Sequence, residues 1–478
     1  MSETGRRPLA RRRPFLRGAF GRGTRPTGIA LPGALAVLLL RDPHRGLAEL
    51  ARRRGDVAAA RVGPRRIVLA SHPQGVRHVL ATDHEPFTKG STLGGLRVLL
   101  GEGLITSEGA AHAAQRRALQ GHLGRGHEGE WQRGISAATA RCAASWHDGA
   151  ELELQAEMLR LSLDVTTRTL FDDVLPDHEL PRLAKATGTI SEISSLTSLP
   201  WLEAWVRTPL RPFRRFRAAR AELRAWAGRV LAGHPRPGGT SLLDDLARAS
   251  TEGAGDPIDQ TLTLLMAAHV TTGHALAWAL YRVADDPRVA ERLAAEATAQ
   301  LTLTDDQLGT DPAAEPAALP YARAVFAETL RLHPPAWAIG REAARATSVD
   351  GCPVGHGDMV LLSPWVTQRD ERWFAAPSEY RPERWLDGEA VSSRFSFFPF
   401  GLGPRRCLGE PLAWSEGTLV LARLARDWRF ERLGPLEPRL RSGVTLAARD
   451  GLPVRARTRR TDDDHRTGDS VASTRSLD

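Results

Sequence analysis

Between about residue 109 and residue 300 the chain reads as helix almost without a pause. Long Ala/Leu/Arg segments carry apolar residues at helical spacing, and each segment breaks at Gly, Pro or Asp. The longest runs from Ile258 to Ala284 and stops before Asp285-Asp286-Pro287. A further helix, Ala317–Leu332, ends ahead of Pro334-Pro335, because proline disfavours a helical residue before it. Helical patterns also cover Pro43–Gly55, His72–Ala81 and about 410–426. Strand signals sit toward the two ends: Val57–Val62 and Arg66–Ala70 around Gly63-Pro64, then Ala343–Leu362 with glycines at 351, 355 and 357. The body is therefore predicted to be mainly α with a small β lobe drawn from both ends. A helical protein of this size, with a Pro-rich irregular stretch (374–404) near its C-terminus, often encloses something.

Apolar residues make up 42% of the 478, enough for a substantial core. The net charge of +9 resembles a nucleic-acid signature, but its placement argues otherwise. Residues 1–27 hold eight arginines (Arg6, Arg7, Arg11, Arg12, Arg13, Arg17, Arg22, Arg25) against Glu3, which leaves about +2 for everything else. The chain thus divides into a basic arm (1–27, expected to be disordered), a body (28–457) and a polar tail (458–478). Nucleic acid is not an expected partner. The sparse cysteines, Cys142, Cys352 and Cys407, give no disulfide framework and suit a reducing cytoplasm. Arg12-Arg13-Pro14-Phe15-Leu16 faintly resembles a twin-arginine export signal. However, Arg22 and Arg25 follow it, and Gly28–Leu40 shows no A-x-A site. That stretch is also shorter than the ~20 residues a membrane-spanning helix takes. The expectation is a cytoplasmic, monomeric protein with no transmembrane segment. Contact between the arm and an acidic or membrane surface is the second reading.

The most specific local feature is Phe400-Gly401-Leu402-Gly403-Pro404-Arg405-Arg406-Cys407-Leu408-Gly409. Glycines around a cysteine let backbone approach closely and leave amides free. A helix starts just after it, and Arg405 and Arg406 add positive charge, so the thiol is expected to shift toward thiolate. Thiolate is the form that binds iron, and it pushes electron density toward O–O cleavage. The bland alternative is a buried, inert cysteine in a glycine-rich turn. The full pattern F-G-x-G-x-R-x-C-x-G, continued by Leu412-Ala413, resembles the heme-binding loop of the cytochrome P-450 family.

Other segments extend the resemblance over about residues 43–455. Glu328-Thr329-Leu330-Arg331, followed by Tyr380-Arg381-Pro382-Glu383-Arg384-Trp385, is similar to the family's E-x-x-R and F-x-P-E-R-F pair. It implies a buried, structural network of Glu328, Arg331 and Arg384 behind the heme loop. His112 and Arg116 match the H-x-x-x-R form of the helix that meets the heme propionates, and Arg341 and Arg405 stand where further propionate contacts occur. Phe400 and Gly409 complete the implied cofactor set. In the long helix, Ala267-Ala268-His269-Val270-Thr271-Thr272 resembles the oxygen-side segment A-G-x-[DE]-T-T. The resemblance makes Thr271 the catalytic hydroxyl that relays protons. Two positions depart: Ala268 stands for the usual glycine and Val270 for the usual acid. Proton delivery could then run through water or His269.

The resemblance implies the cytochrome P-450 fold, heme b, and Cys407 as the iron's sulfur ligand. It implies a monooxygenase that places one oxygen atom in an apolar small molecule, in secondary metabolism. No flavin or iron–sulfur module is visible, so electrons would come from a ferredoxin with its reductase, or from a flavodoxin. Arg117 and Arg406 are candidates for docking that donor. Expected pocket residues are Leu96, Val98, Leu99, Leu264, Ala267, Ala268, Trp337, Ile339 and Val444. Two other classes stay open: a heme-thiolate isomerase, dehydratase or peroxide-driven oxidase, motivated by Val270, and a non-catalytic heme-binding protein.

Overall fold

The structure, a computed structural model, describes residues 37–459 except 40, 63–64, 125, 173–174, 195–205, 207, 234–240, 252–254, 302–315 and 389–392. The basic arm and the tail from 460 lie outside the described residues.

In chain order the first elements are α1 (Pro43–Arg54), β1 (Val57–Val62), β2 (Arg65–Ala70), α2 (Pro73–Arg77), β3 (Phe87–Thr88), α3 (Gly94–Leu100), α4 (Gly109–Gln120), α5 (Glu128–Ala143), β4 (Glu151–Glu153) and α6 (Leu154–Leu170). The helical middle continues as α7 (Glu179–Ser194), α8 (Arg211–Ala232), α9 (Leu242–Thr251), α10 (Pro257–Val283), α11 (Pro287–Gln300) and α12 (Pro320–Leu332). Then come β5 (Ile339–Ala343), β6 (Thr347–Val349), β7 (Cys352–Val354), β8 (Met359–Leu362), α13 (Pro364–Thr367), α14 (Glu410–Asp427), β9 (Trp428–Arg432), β10 (Leu440–Ser442), β11 (Leu446–Ala448) and β12 (Pro453–Thr458).

The long helix predicted at Ile258–Ala284 is α10. Asp256 caps it by accepting from the Ile258 amide at 2.9 Å, and Pro257 occupies the first turn, where its missing N–H costs nothing. Its 27 residues reach about 40 Å. It is buried almost all round, as a central helix must be. Helix α6 lies against it at Gly273, where an added Cβ would come within 2.9 Å of the Leu159 Cα. Helix α14 packs on α5, α11 and α12, and its Leu419, Val420, Leu421 and Ala422 are fully buried.

The β lobe joins distant chain segments, as expected. One sheet has the order β1-β2-β8-β5-β3, with β2 parallel to β8 through Ile67↔Met359. Another has the order β4-β12-β9, and β6-β7 and β10-β11 form two-stranded pairs. Three local expectations shift. The helix at His72–Ala81 is α2 followed by a π-helical turn, His78–Thr82. The strand expected from Ala343 starts at Ile339, which pairs with Leu362. The tail expected from 458 begins later, because Thr458 pairs with Trp428 and Arg459 bonds Glu291 at 2.8 Å.

Candidate active site

The loop 400–409 closes on itself where the Cys407 amide donates to Phe400 O at 2.9 Å. Gly401 and Gly403 have φ of +70° and +69°. A Cβ on Gly403 would stand 2.0 Å from Leu80 O in the π-helical turn, so no side chain fits there. The Cys407 sulfur is exposed by area, but what it faces is an internal cavity that it helps to line. Burial pushes its thiol up to about 11, and the Gly409 amide, Arg116 and Arg406 offset this only in part. The expectation of a thiol lowered by the protein alone is therefore overturned. Arg405 is turned away, donating to Phe87 O at 3.0 Å and to Glu108 at 3.0 Å. Arg406 is paired with Glu410 at 2.6 Å, and that carboxylate pushes the thiol further up. Holding the thiolate here takes a metal cation, which deprotonates a coordinating thiol outright.

The cavity has a volume of about 450 Å³ and lies between this loop and α10. From α10 it takes Leu264, Ala267, Ala268, Val270 and Thr271, so Thr271 and Cys407 border one space. The Thr271 hydroxyl donates to Ala267 O at 2.9 Å. His269 points away: it is 2% exposed, its Nδ1 bonds Leu265 O at 2.6 Å, and burial lowers its pKa to about 4. Of the expected pocket residues, Leu96, Leu99, Leu264, Ala267, Ala268, Ile339 and Val444 line the cavity. Val98 and Trp337 do not. On α3, Leu96 and Leu99 share a face at spacing i, i+3, and Val98 falls off that face. Trp337 turns its indole N–H to Gly443 O at 3.0 Å and packs with α1 and β1. Leu104 and Ile105 line the cavity without having been singled out in the sequence; they lie in a loop with no helical or strand pattern.

One end of the cavity is cationic. Lys89, His112, Arg116, Arg341 and Arg405 meet there, and Glu108 is the carboxylate paired with this group. Burial, then Lys89, Arg405 and Arg116, lowers His112 to about 4, so it is neutral near pH 7. Burial, then Arg405, lowers Arg341 to about 10. Burial pulls Glu108 upward, but the Lys89 amide and Arg405 outweigh it and hold the carboxyl below its ordinary value. Lys89 is 7% exposed, and its Nζ donates to Leu104 O and Ser107 O. Sequence reading missed it; its one signal was rarity, since the chain has only two lysines. The Arg341 Nε is buried and has no partner. A buried orphan donor costs roughly 1–3 kcal/mol, and a ligand carboxylate would satisfy it. A sulfur donor facing a cavity with a cationic end fits a porphyrin iron that carries two carboxylates.

Behind the loop, Glu328 is a buried hub. It accepts from Arg331 Nη2 at 2.8 Å and Nε at 2.9 Å, from Arg384 Nε at 3.1 Å, from Trp385 Nε1 at 2.9 Å and from the Arg381 amide at 2.9 Å. Arg331 also donates to Gln368 O, Pro377 O and Glu379 O. The Gln368 side chain accepts from the Phe398 amide at 3.1 Å, which ties the network to the segment entering the cysteine loop.

Comparison with known proteins gives this geometry a family. The cytochrome P-450 family profile matches residues 26–450. The chain is 31% identical over 435 residues to cyclooctatin synthase of Streptomyces melanosporofaciens, covering 88% of this chain and 93% of that protein. It is 31% identical over 418 residues to cyclooctat-9-en-7-ol 5-monooxygenase of the same organism, covering 85% and 89%. It is 26% identical to pentalenene oxygenase of Streptomyces avermitilis, covering 86% and 91%. Among solved structures, a cytochrome P-450 from Thermus thermophilus superposes with a TM-score of 0.70 at 29% identity, covering 90% of this chain and 99% of that one. This chain belongs to the cytochrome P-450 family and is a heme-dependent monooxygenase.

Proposed function

We propose that the substrate is a cyclic terpenoid hydrocarbon or its alcohol, bound in the apolar part of the cavity beneath α10. The observation that carries this is the wall itself. Leu96, Leu99, Leu264, Ala267 and Ile339 offer shape and no charge on the side away from the arginines. Relatives named for cyclooctat-9-en-7-ol and pentalenene support the reading. Apolar pockets of this size fix orientation by fit.

The residue roles follow from position. Cys407 supplies the sulfur ligand, and the Gly409 amide shares its charge. Arg116, Arg341, Arg405, Lys89 and neutral His112, which line the cationic end of the cavity, would hold the carboxylates of heme b, while Phe400 would back the loop. Bound there, heme would supply the chemistry of dioxygen activation. Thr271 holds a donor hydroxyl at the cavity wall and passes protons inward. With Val270 apolar, those protons reach Thr271 by way of water. The catalytic unit runs from residue 28 through β12 and Arg459, working as a cytoplasmic monomer with electrons from a ferredoxin pair or a flavodoxin.

The test is a difference-spectrum screen of heme-loaded protein with cyclic terpenoids, fatty acids and macrolides. A high-spin shift with the terpenoids at the lowest concentrations is expected. A shift produced only by fatty acids or macrolides would overturn the substrate class.

A further inference from the structure

Val270 leaves α10 without an acid beside Thr271, yet the cavity wall holds one. Glu416 of α14 lines the cavity, and among the described lining residues it is the one carboxylic acid. It is 1% exposed, and its Oε1 is enclosed with no hydrogen-bond partner among the described residues. Ser162 of α6 acts on it, and that hydroxyl too is buried without such a partner. Leu159, one turn before Ser162, is pressed against Gly273 of α10, two positions past Thr271. Helices α6 and α14 both pack on α10, so Glu416 sits in the seam of these three helices. Burial pushes its carboxyl up to about 8, Ser162 draws it down only in part, and no charged group contributes. The charged groups of the surrounding helices are engaged elsewhere. Asp164 of α6 pairs with Arg141 and Arg168, Arg331 of α12 holds Glu328, and Glu291 and Arg292 of α11 pair with Arg459 and Glu383. The Cys142 thiol of α5 bonds Glu157, and burial lowers His269 and His274 of α10 to about 4. The Glu416 carboxyl therefore carries its proton near pH 7.

An unpartnered buried acceptor costs roughly 1–3 kcal/mol, and an apolar side chain of similar shape would avoid that cost. What a carboxyl offers instead is a proton that can leave and return. Inserting one oxygen atom into a C–H bond and reducing the other to water takes a pair of electrons from the donor protein and a pair of protons. We propose that Glu416 is the proton store behind Thr271. Its carboxyl gives a proton to cavity water, that water reprotonates the Thr271 hydroxyl as the hydroxyl's own proton moves inward, and solvent restores the carboxyl. Solvent has a way in at Val444, which is 42% exposed and lines the same cavity. The inference rests on the proton role given to Thr271 above and is independent of the substrate class.

The test uses the full heme-loaded chain and begins without turnover. Infrared spectra of the parent minus Glu416→Gln should show the carbonyl stretch of a protonated carboxyl at pH 7, fading as pH rises through about 8. Turnover is then followed with a plant-type ferredoxin and its reductase, on whichever compound gives the largest spin shift in the screen above. Product formed per dioxygen consumed should fall about ten-fold in Glu416→Gln, with peroxide released instead. In the parent that ratio should drop above about pH 8, and in the variant it should be low and flat. Val270→Glu added to the Gln variant should restore coupling, because it places an acid next to Thr271. The carbon-monoxide spectrum should be unchanged throughout. A missing carboxyl band, or full coupling in Glu416→Gln, overturns the proposal. Should the Gln variant fail to load heme, Ser162→Ala carries the test. It removes the hydroxyl that draws the carboxyl down, so the band and the coupling profile should both move to higher pH; a coupling profile that stays while the band moves overturns the proposal. If Thr271→Ala leaves coupling intact, the role of Thr271 fails and this inference with it. If Thr271→Ala uncouples turnover and Glu416→Gln does not, this inference alone fails.

Discussion

At the scale of single residues, the site turns on groups whose charge is set by what covers them. Cys407 was legible in the sequence because its loop is one contiguous pattern. Its acidity was not, because desolvation and the Glu410 carboxylate depend on three-dimensional neighbours. Cys407→Ala should abolish the carbon-monoxide band of a thiolate-bound heme in the reduced protein. Thr271→Ala should lower product formed per dioxygen consumed by about ten-fold or more, with peroxide released instead; unchanged coupling would mean that protons bypass this hydroxyl. His269 offers a pH test away from the chemistry. Its folded pKa, about 4, lies below the ordinary value of 6.5, so the unfolded chain takes up a proton first as pH falls. Its neutral burial thus favours the fold above pH 6.5, and that advantage drains away between about 6.5 and 4, up to about 3 kcal/mol. A His269→Leu variant should show a shallower loss of urea stability across that window than the parent.

At the scale of elements, strong periodicity decided what could be read. The 27-residue α10 and the start of α14 stand where the spacing of apolar residues and prolines put them. Which face of a short helix meets the cavity was less legible, and Val98 shows why. A shift of one or two residues in where α3 begins rotates its wall residues by 100° or more. The Glu328–Arg331 pair could be read at i, i+3, whereas the Trp385 indole and the Gln368 link come from residues far along the chain that sequence spacing cannot align. Glu328→Gln or Arg384→Ala should lower stability by roughly 3–5 kcal/mol, because each leaves buried charge uncompensated. Heme recovered per mole of purified protein should fall in parallel. Gly403→Ala should fail in the same assay, since its methyl would meet the Leu80 carbonyl. Gly409→Ala should leave the stability of the heme-free chain near that of the parent, since φ there is −84° and nothing lies within 4 Å of the added carbon.

At the scale of the whole molecule, the mainly α body with a β lobe drawn from both ends was visible from the distribution of strand and helix signals. The order of strands within the sheet was not, since no local signal tells β2 to lie beside β8. That pairing has a consequence for how the protein is made. Arg66 and Asp358, which clasp across these two strands, are 292 positions apart in sequence. The lobe that floors one side of the cavity stays unfinished until most of the chain has left the ribosome, and closing so large a loop is slow. Ribosome-stalled chains truncated before β8 should remain open to protease around residues 57–70, while chains extended past α14 should be protected there. Prosthetic-group capture then belongs to the last stage of biosynthesis, so a cell that synthesises polypeptide faster than porphyrin would accumulate finished but colourless molecules.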